Sequence, residues 1–202
     1  MTLRIAILVS GEGTTLTRLV DGWDARGARP AEIVLVVADR PGIGAIDRAR
    51  ERHLRVELLP RRPAGEREAW ATDLSTLLRA ARVDLAVLAG FLSILPPKWV
   101  EEWRGRAINL HPSLLPRYGG RGMHGRRVHE AVLAAHETET GVTVHLVTGD
   151  VDGGPPLEVR RLSIAPDETP ETLRARLAPL EVDALDRTIR RFASGELPLP
   201  YR

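Results

Sequence analysis

The chain has 202 residues, a formal net charge of +2 and no cysteine. At this length one compact domain is expected, and folding should remove roughly 70% of the extended chain's surface from water. The absence of cysteine excludes a disulfide framework, a thiolate nucleophile and cysteine-bound metal centres. The 29 basic and 27 acidic residues nearly cancel, which argues against a dedicated nucleic-acid surface. Any chemistry must therefore come from histidine, carboxylate, amide or backbone groups.

The first half of the chain alternates short apolar runs with segments of helical spacing. The apolar runs are typical of parallel strands buried on both faces, and they cover residues 5–9, 33–38, 85–89 and 107–110. The helical segments cover residues 14–26, 44–52, 66–81 and 98–103. The first apolar run is too short for a signal peptide or a membrane span. Strand alternating with helix predicts a right-handed, doubly wound α/β sheet.

The pattern changes beyond Pro112. Residues 112–125 contain four glycines and little apolar periodicity, which predicts a long loop of the kind that often carries function. A helix is expected over 128–135, and two strands over 142–147 and 157–164 joined around 150–155. The last helix is expected over 169–192, capped by Thr169 or Asp167. The predicted fold is thus a mostly parallel, Rossmann-like sheet with a C-terminal antiparallel strand pair and a closing helix.

A glycine-rich turn, Ser10-Gly11-Glu12-Gly13-Thr14-Thr15, lies between the first strand and the first helix. Backbone N–H groups there can approach an anion closely, and the helix N-terminus adds partial positive charge, so phosphate is the natural ligand. The turn is not a P-loop, and Leu16 stands where a dinucleotide fingerprint has its third glycine. Asp39 after the second strand still allows a ribose contact of the dinucleotide type. A tight turn without any ligand also stays open.

Asn109 and His111 come at the end of a predicted strand. Period-two alternation puts both side chains on one face, at the strand end where open α/β sheets bind ligands. An asparagine N–H can stabilise an oxyanion, and a histidine with a pKa near 6.5 can carry a proton at neutral pH. The alternative is a capping asparagine and a structural histidine.

Asp152 lies in Asp150-Val151-Asp152-Gly153-Gly154-Pro155, between the last two predicted strands. The two glycines after it permit a backbone that folds close to a ligand and directs the carboxylate inward. The same Asp-Gly pair is also the commonest hairpin signal. The local sequence therefore favours a plain turn but leaves a catalytic carboxylate open.

The remaining histidines give weaker signals. His124 lies in the glycine-rich loop and is placed to approach a substrate. His53, His129 and His136 are expected on exposed helix faces, and His145 in a strand. No paired-histidine metal spacing is present, so no metal site is predicted.

Four segments in chain order closely resemble the phosphoribosylglycinamide formyltransferase family: residues 5–13, 87–95, 108–118, and 143–147 with 151–155. The resemblance covers nearly the whole chain. It implies transfer of the formyl group of 10-formyltetrahydrofolate, a co-substrate, to the amine of glycinamide ribonucleotide in purine synthesis. It also implies one formyltransferase domain over 1–202, with a nucleotide- and phosphate-binding half at 1–105 and a catalytic, folate-contacting half at 106–202.

The resemblance assigns roles to particular residues. The catalytic residues it implies are Asn109, His111 and Asp152, with Asp152 raising the pKa of His111 and so favouring the imidazolium. The residues implied on the nucleotide side are Gly11, Gly13, Thr14, Thr15 and Glu181. Those implied beside the folate are Arg67, Phe91, Leu92, Ser93, Ile94, Leu95 and Asn109.

Three residues depart from the usual family pattern. Glu12 stands in the phosphate turn where a neutral or basic residue is common, so its side chain must point to solvent. Thr15 replaces a common asparagine in the same turn. Ser93 stands where an arginine is often found beside the pterin, so backbone contacts are the safer expectation there.

Three related enzyme families share the Asn, His and Asp residues of this site. They are the formyltetrahydrofolate deformylases, the methionyl-tRNA formyltransferases and the sugar-nucleotide formyltransferases. The length of 202 residues favours the phosphoribosylglycinamide formyltransferase family, because the deformylase and the tRNA enzyme normally carry a further domain. A non-catalytic nucleotide-binding module is the alternative from another class. Small-molecule substrates, a cytoplasmic location and no membrane or nucleic-acid partner are expected, and a homodimer is allowed.

Overall fold

The computed structural model describes residues 2–201, and seven strands in these residues form one sheet. The strands are β1 (Leu3–Val9), β2 (Ala31–Ala38), β3 (Val56–Leu58), β4 (Leu85–Ala89), β5 (Ala107–His111), β6 (Glu139–Leu146) and β7 (Pro156–Ser163). The α-helices are α1 (Thr14–Ala25), α2 (Gly44–Glu51), α3 (Arg67–Ala80), α4 (Pro97–Glu102), α5 (Arg126–Ala134) and α6 (Pro170–Ser194). A short 3₁₀ turn over Ala64–Glu66 precedes α3.

The strand order across the sheet is β3-β2-β1-β4-β5-β6-β7. The first five strands run parallel, whereas β6 and β7 pair antiparallel. Strand order reverses between β1 and β4, so a crevice opens at the carboxyl ends of these two strands, where α/β sheets bind ligands. The predicted doubly wound sheet with a C-terminal antiparallel pair is therefore confirmed.

Helices cover both faces of the sheet. Buried side chains of α1, α2, α5 and α6 pack on one face, and those of α3 and α4 pack on the other. The four tryptophans divide in the same way, with Trp23 on the first face and Trp70, Trp99 and Trp103 on the second. Trp23 also donates its indole N–H to Asp186 over 2.6 Å, which ties α1 to α6.

Most element boundaries lie within two or three residues of the predicted ones. The sequence missed β3, a three-residue edge strand whose alternation is too short to read. His53 and His136 are exposed, but they lie in left-handed turns after α2 and α5, with φ angles of 56° and 52°, rather than on helix faces. Thr169 caps α6 through a reciprocal capping box with Thr172.

The connection between β6 and β7 is tightly packed at one glycine and open at another. A Cβ on Gly154 would stand 1.8 Å from the carbonyl oxygen of Leu146, whereas a Cβ on Gly149 would meet nothing within 4 Å. Only a residue without a side chain therefore lets this connection fold back against β6. The position of Asp152 depends on that close approach.

We expect Gly154→Ala to destabilise the protein by roughly 1–3 kcal/mol, because the added methyl group must displace the backbone of β6 or of the connection. The free energy of unfolding from urea titrations measures this loss. Gly149→Ala is the matched control and should change stability by less than about 0.5 kcal/mol. Equal losses in the two variants would contradict the packing argument.

Candidate active site

A cavity of about 1030 Å³ runs along the carboxyl edge of the sheet. Its lining comes from the turn after β1, the segment after β4, the loop between β5 and α5, the β6–β7 connection and one face of α6. The ends of β1 and β4 are joined there by two hydrogen bonds. The N–H of Ser10 donates to the carbonyl of Gly90 over 3.1 Å, and the Oγ of Ser10 accepts from the N–H of Leu92 over 2.7 Å.

Asn109 and His111 lie together at the carboxyl end of β5, as the alternation predicted. The antiparallel pairing of β6 sets His145 directly opposite Asn109. The side-chain amide of Asn109 donates to the Nε2 of His145 over 3.0 Å and to Asp152 over 3.2 Å. Both N–H groups of this amide therefore have partners.

Asp152 enters the same cluster from the β6–β7 connection, where its φ of 57° is left-handed. Its carboxylate accepts the N–H of Gly120 over 2.9 Å. Its two oxygens also stand 3.5 Å from the Nδ1 of His111 and 3.5 Å from the Nε2 of His145. Asp152 is thus a turn residue and also lies beside Asn109 and His111, so the turn interpretation does not exclude the catalytic one.

The hydrogen bonds define which ring nitrogens carry protons. The Nε2 of His111 lies 2.8 Å from the carbonyl oxygen of Tyr118, which can only accept, so Nε2 is the protonated nitrogen. The Nδ1 of His145 bonds the carbonyl of Leu146 over 2.8 Å in the same way, which leaves its Nε2 to accept from Asn109. The Nδ1 of His111, facing Asp152, is therefore the nitrogen that can gain a proton.

Burial decides the charge of His111. Its side chain is 5% exposed. Desolvation lowers its pKa below the usual 6.5, and the attraction of Asp152, which raises the pKa, does not compensate. Asp152 thus raises the pKa of His111 as expected, but the cost of desolvation is larger, so the net pKa is lowered. Asp152 behaves in the opposite way: burial raises its pKa, but the two histidines and the Gly120 N–H lower it by more.

The glycine-rich turn brings Gly11, Gly13, Thr14 and Thr15 to the cavity at the start of α1. Gly13 has a φ of 70°, and a Cβ there would lie 2.7 Å from the Cβ of Ala45. The hydroxyl of Thr15 donates to Glu181 of α6 over 3.1 Å. Burial raises the pKa of Glu181, although this hydrogen bond lowers it in part. The hydroxyl of Thr15 is therefore already engaged.

The carboxylate of Glu12 lies against α2. Its carboxylate pairs with Arg48 at 3.3 Å, and its side chain is 63% exposed. Arg48 also donates to the backbone carbonyl of Glu12 over 2.7 Å. The side chain of Glu12 therefore faces solvent, as expected. It does not oppose the binding of an anion in the turn.

The segment after β4 presents an apolar wall to the cavity. Phe91 is buried against Trp70, whereas Leu92 and Ile94 are exposed, and Ser93 and Leu95 are half-buried. Arg67, at the start of α3, lines the same cavity.

Ser93 does not reach into the cavity with its hydroxyl, which instead donates to Asp39 over 2.6 Å. Asp39 is fully buried and is also bonded by Arg40 over 3.0 Å. Its carboxylate is therefore occupied and shielded, and the alternative in which Asp39 binds a ribose is wrong. Asp39 instead anchors the segment after β4.

His129 differs from its predicted setting, and His145 lies in a strand as predicted but also bonds Asn109. His129 is only 3% exposed and lines the cavity, so its expected place on an exposed helix face is wrong. The inner face of α5 packs toward α6, which the sequence of this short helix did not reveal. His145 was predicted only as a strand residue, yet it belongs to the cluster around Asp152. His124 lines the cavity from the loop, as expected.

No group of three or more His, Asp or Glu side chains within residues 2–201 is arranged to hold a metal ion. In the same range, each helix is too short or too polar to cross a membrane.

The sequence matches the family described as formyl transferase over residues 3–189. The chain belongs to the formyl transferase family. The formyltransferase resemblance seen in the sequence is therefore confirmed.

A solved phosphoribosylglycinamide formyltransferase from Coxiella burnetii shares the fold, with a TM-score of 0.87 and 38% identity over 98% of this chain and 90% of that one. Phosphoribosylglycinamide formyltransferase of Haemophilus influenzae is 32% identical over 97% of this chain and 90% of its own length. The trifunctional purine biosynthetic protein adenosine-3 of Drosophila melanogaster is 37% identical over 95% of this chain. This formyltransferase chain spans 14% of that insect protein's length.

We expect the free energy of unfolding to fall as the pH drops below about 6.5, because burial lowers the pKa of both His111 and His129. The unfolded chain then binds more protons than the folded one, and the loss levels off once the folded histidines are also protonated. Asp152 contributes only in more acidic solution, since its pKa is lowered below 3.8.

Urea titrations between about pH 7.5 and pH 5.5 measure this dependence. His129→Gln should flatten the curve, and the same replacement at exposed His136 is the control. A curve that stays unchanged in His129→Gln would contradict the burial argument.

Proposed function

We propose that this protein transfers the formyl group of 10-formyltetrahydrofolate to the amine of glycinamide ribonucleotide, giving formylglycinamide ribonucleotide and tetrahydrofolate. The observation that carries the proposal is the Asn109–His111–Asp152 cluster, set between an anion-binding turn and an apolar wall in one cavity. Relatives named for this reaction, matched over nearly their whole length, support it.

The chemistry makes two demands on the site. The amine attacks the formyl carbon, so a new C–N bond forms and the formyl oxygen becomes an oxyanion. The amine must lose a proton, and N10 of the folate must gain one as its bond to the formyl carbon breaks. A site that stabilises the oxyanion and moves one proton therefore completes the transfer.

His111 is proposed as the proton carrier. Its lowered pKa keeps it neutral at pH 7, so it can accept the proton that the attacking amine releases. The imidazolium formed by protonation at Nδ1 faces Asp152 at 3.5 Å, while Nε2 stays bonded to Tyr118. Asp152 thus stabilises the imidazolium of His111 once it has formed. The imidazolium can then pass its proton to N10.

Asn109 is proposed as the donor to the oxyanion. Its two N–H groups are bonded to His145 and Asp152. The formyl oxygen replaces Asp152 as the acceptor of one of these N–H groups when the substrates bind. His145 holds the amide in position during this exchange. We propose direct transfer without a covalent formyl-enzyme, since the chain has no cysteine.

The substrates are proposed to meet at this cluster from two sides. The nucleotide phosphate binds the backbone of Gly11, Gly13, Thr14 and Thr15, with Glu181 on the same side. The folate lies against the segment Phe91–Leu95 and Arg67, with Ser93 contributing backbone contacts because its hydroxyl is held by Asp39.

One domain over 1–202 is proposed, with the phosphate turn in the half at 1–105 and the catalytic side chains in the half at 106–202. We propose small molecules as the substrates and the cytoplasm as the location.

Formyl transfer is measured by mixing the protein with 10-formyltetrahydrofolate and glycinamide ribonucleotide and following the folate absorbance. We expect His111→Ala and Asp152→Asn each to lower kcat by ~10²-fold or more. The double variant should lose little beyond the larger single loss, because the two residues act on one proton. His136→Gln, on an exposed turn, is the control.

Other outcomes would overturn parts of the proposal. Formate release without the nucleotide would indicate a deformylase-like hydrolase, and nicotinamide nucleotide binding without turnover would indicate a non-catalytic module. A formyl-enzyme detected by mass spectrometry would overturn direct transfer.

A further inference from the structure

Two exposed arginines line the cavity beside the phosphate turn. Arg18 belongs to α1 and Arg174 to α6. Within residues 2–201, neither guanidinium forms an ion pair shorter than 4.0 Å or a side-chain hydrogen bond. The other arginines of α6 differ: Arg176, Arg187, Arg190 and Arg191 each pair with a carboxylate.

Helical spacing brings both arginines to one place. Arg18 lies one turn after Thr14 and Thr15, so it extends the face of α1 that begins at the phosphate turn. Arg174 lies two turns before Glu181 on α6, and the hydroxyl of Thr15 bonds Glu181 over 3.1 Å. The positive charges of Arg174 and Arg18 both lower the pKa of Glu181, so all three groups share one region.

The charges in this region do not balance. Glu181 supplies one carboxylate against two guanidiniums, and the N-terminus of α1 adds further partial positive charge. Burial raises the pKa of Glu181, which weakens its negative charge further. An anionic group on a ligand in the cavity would supply the missing negative charge. Ala178, between Arg174 and Glu181 on the same face of α6, leaves room for it.

We infer that Arg18 and Arg174 form a clamp that binds the phosphate monoester of the nucleotide from two helices. Two guanidiniums can each present a fork of N–H donors to phosphate oxygens. The backbone N–H groups of the turn bind the same phosphate from below. The inference rests on the proposed function, because it identifies the anion as the nucleotide's phosphate.

The position of the clamp distinguishes phosphate from the other anion, the folate's carboxylate. Arg18 and Arg174 lie on helices that cover one face of the sheet, whereas Arg67 and Phe91 lie on the opposite face with α3. The clamp therefore acts on nucleotide binding and leaves folate binding alone. It makes the enzyme select phosphorylated over unphosphorylated ribosides.

Calorimetric titration with ribose 5-phosphate tests the clamp without any turnover. We expect Arg18→Met and Arg174→Met each to weaken binding about 10-fold or more, and the double variant to lose measurable affinity. Arg174→Lys should keep part of the affinity, since it retains the charge but not the fork. Arg187→Met, on the same helix, is the matched control, and unphosphorylated ribose is the control ligand.

Steady-state formyl transfer gives the second readout. The single variants should raise the KM for glycinamide ribonucleotide about 10-fold, with kcat and the KM for the folate unchanged. If wild type binds ribose 5-phosphate and the double variant does not, but neither transfers a formyl group, the clamp stands and the proposed reaction fails. If the folded double variant keeps the wild-type KM, or the wild-type affinity for ribose 5-phosphate, the clamp is overturned. The clamp is also overturned if wild type neither binds ribose 5-phosphate nor transfers the formyl group.

Discussion

The carboxylate of Asp152 connects the elements that build the Asn109–His111 end of the cavity. It accepts hydrogen bonds from Asn109 on β5 and from the backbone of Gly120 in the following loop, and it faces His111 and His145. A buried carboxylate is costly unless donors bond to it, so Asn109 and the backbone of Gly120 are fixed by the same requirement. The loop, two strands and the β6–β7 connection are thereby held in one arrangement.

The same burial sets the chemistry of His111. A fully solvated histidine beside an aspartate would hold a proton more tightly, but here desolvation outweighs the attraction. A neutral imidazole next to a carboxylate can accept a proton and be stabilised as soon as it does. The cluster therefore suits a reaction in which a proton is taken from one nitrogen and given to another, which is what transfer of a formyl group between two amines requires.

The sequence predicted the parts of this site that follow from local periodicity. Alternation along one strand was enough to place Asn109 and His111 on one face. His145 could not be found in this way, because it reaches Asn109 through the register of two antiparallel strands, which no local pattern encodes. The alternative role of Asp39 stayed open in the sequence for a related reason: the hydroxyl that bonds its carboxylate belongs to Ser93, which is distant in the sequence.

The arginine content of the chain is a further feature whose meaning cannot be predicted from composition alone. A high arginine content says little by itself, because most of these side chains form surface ion pairs that contribute little to stability. What carries information is the contrast along α6, where arginines facing away from the cavity are paired and Arg174, facing it, is not. Arg18 and Arg174 are exposed, so the missing ion pairs cost the protein little. What sets the two residues apart is their place at the cavity, where a phosphate dianion is the anion that two guanidinium groups bind most strongly.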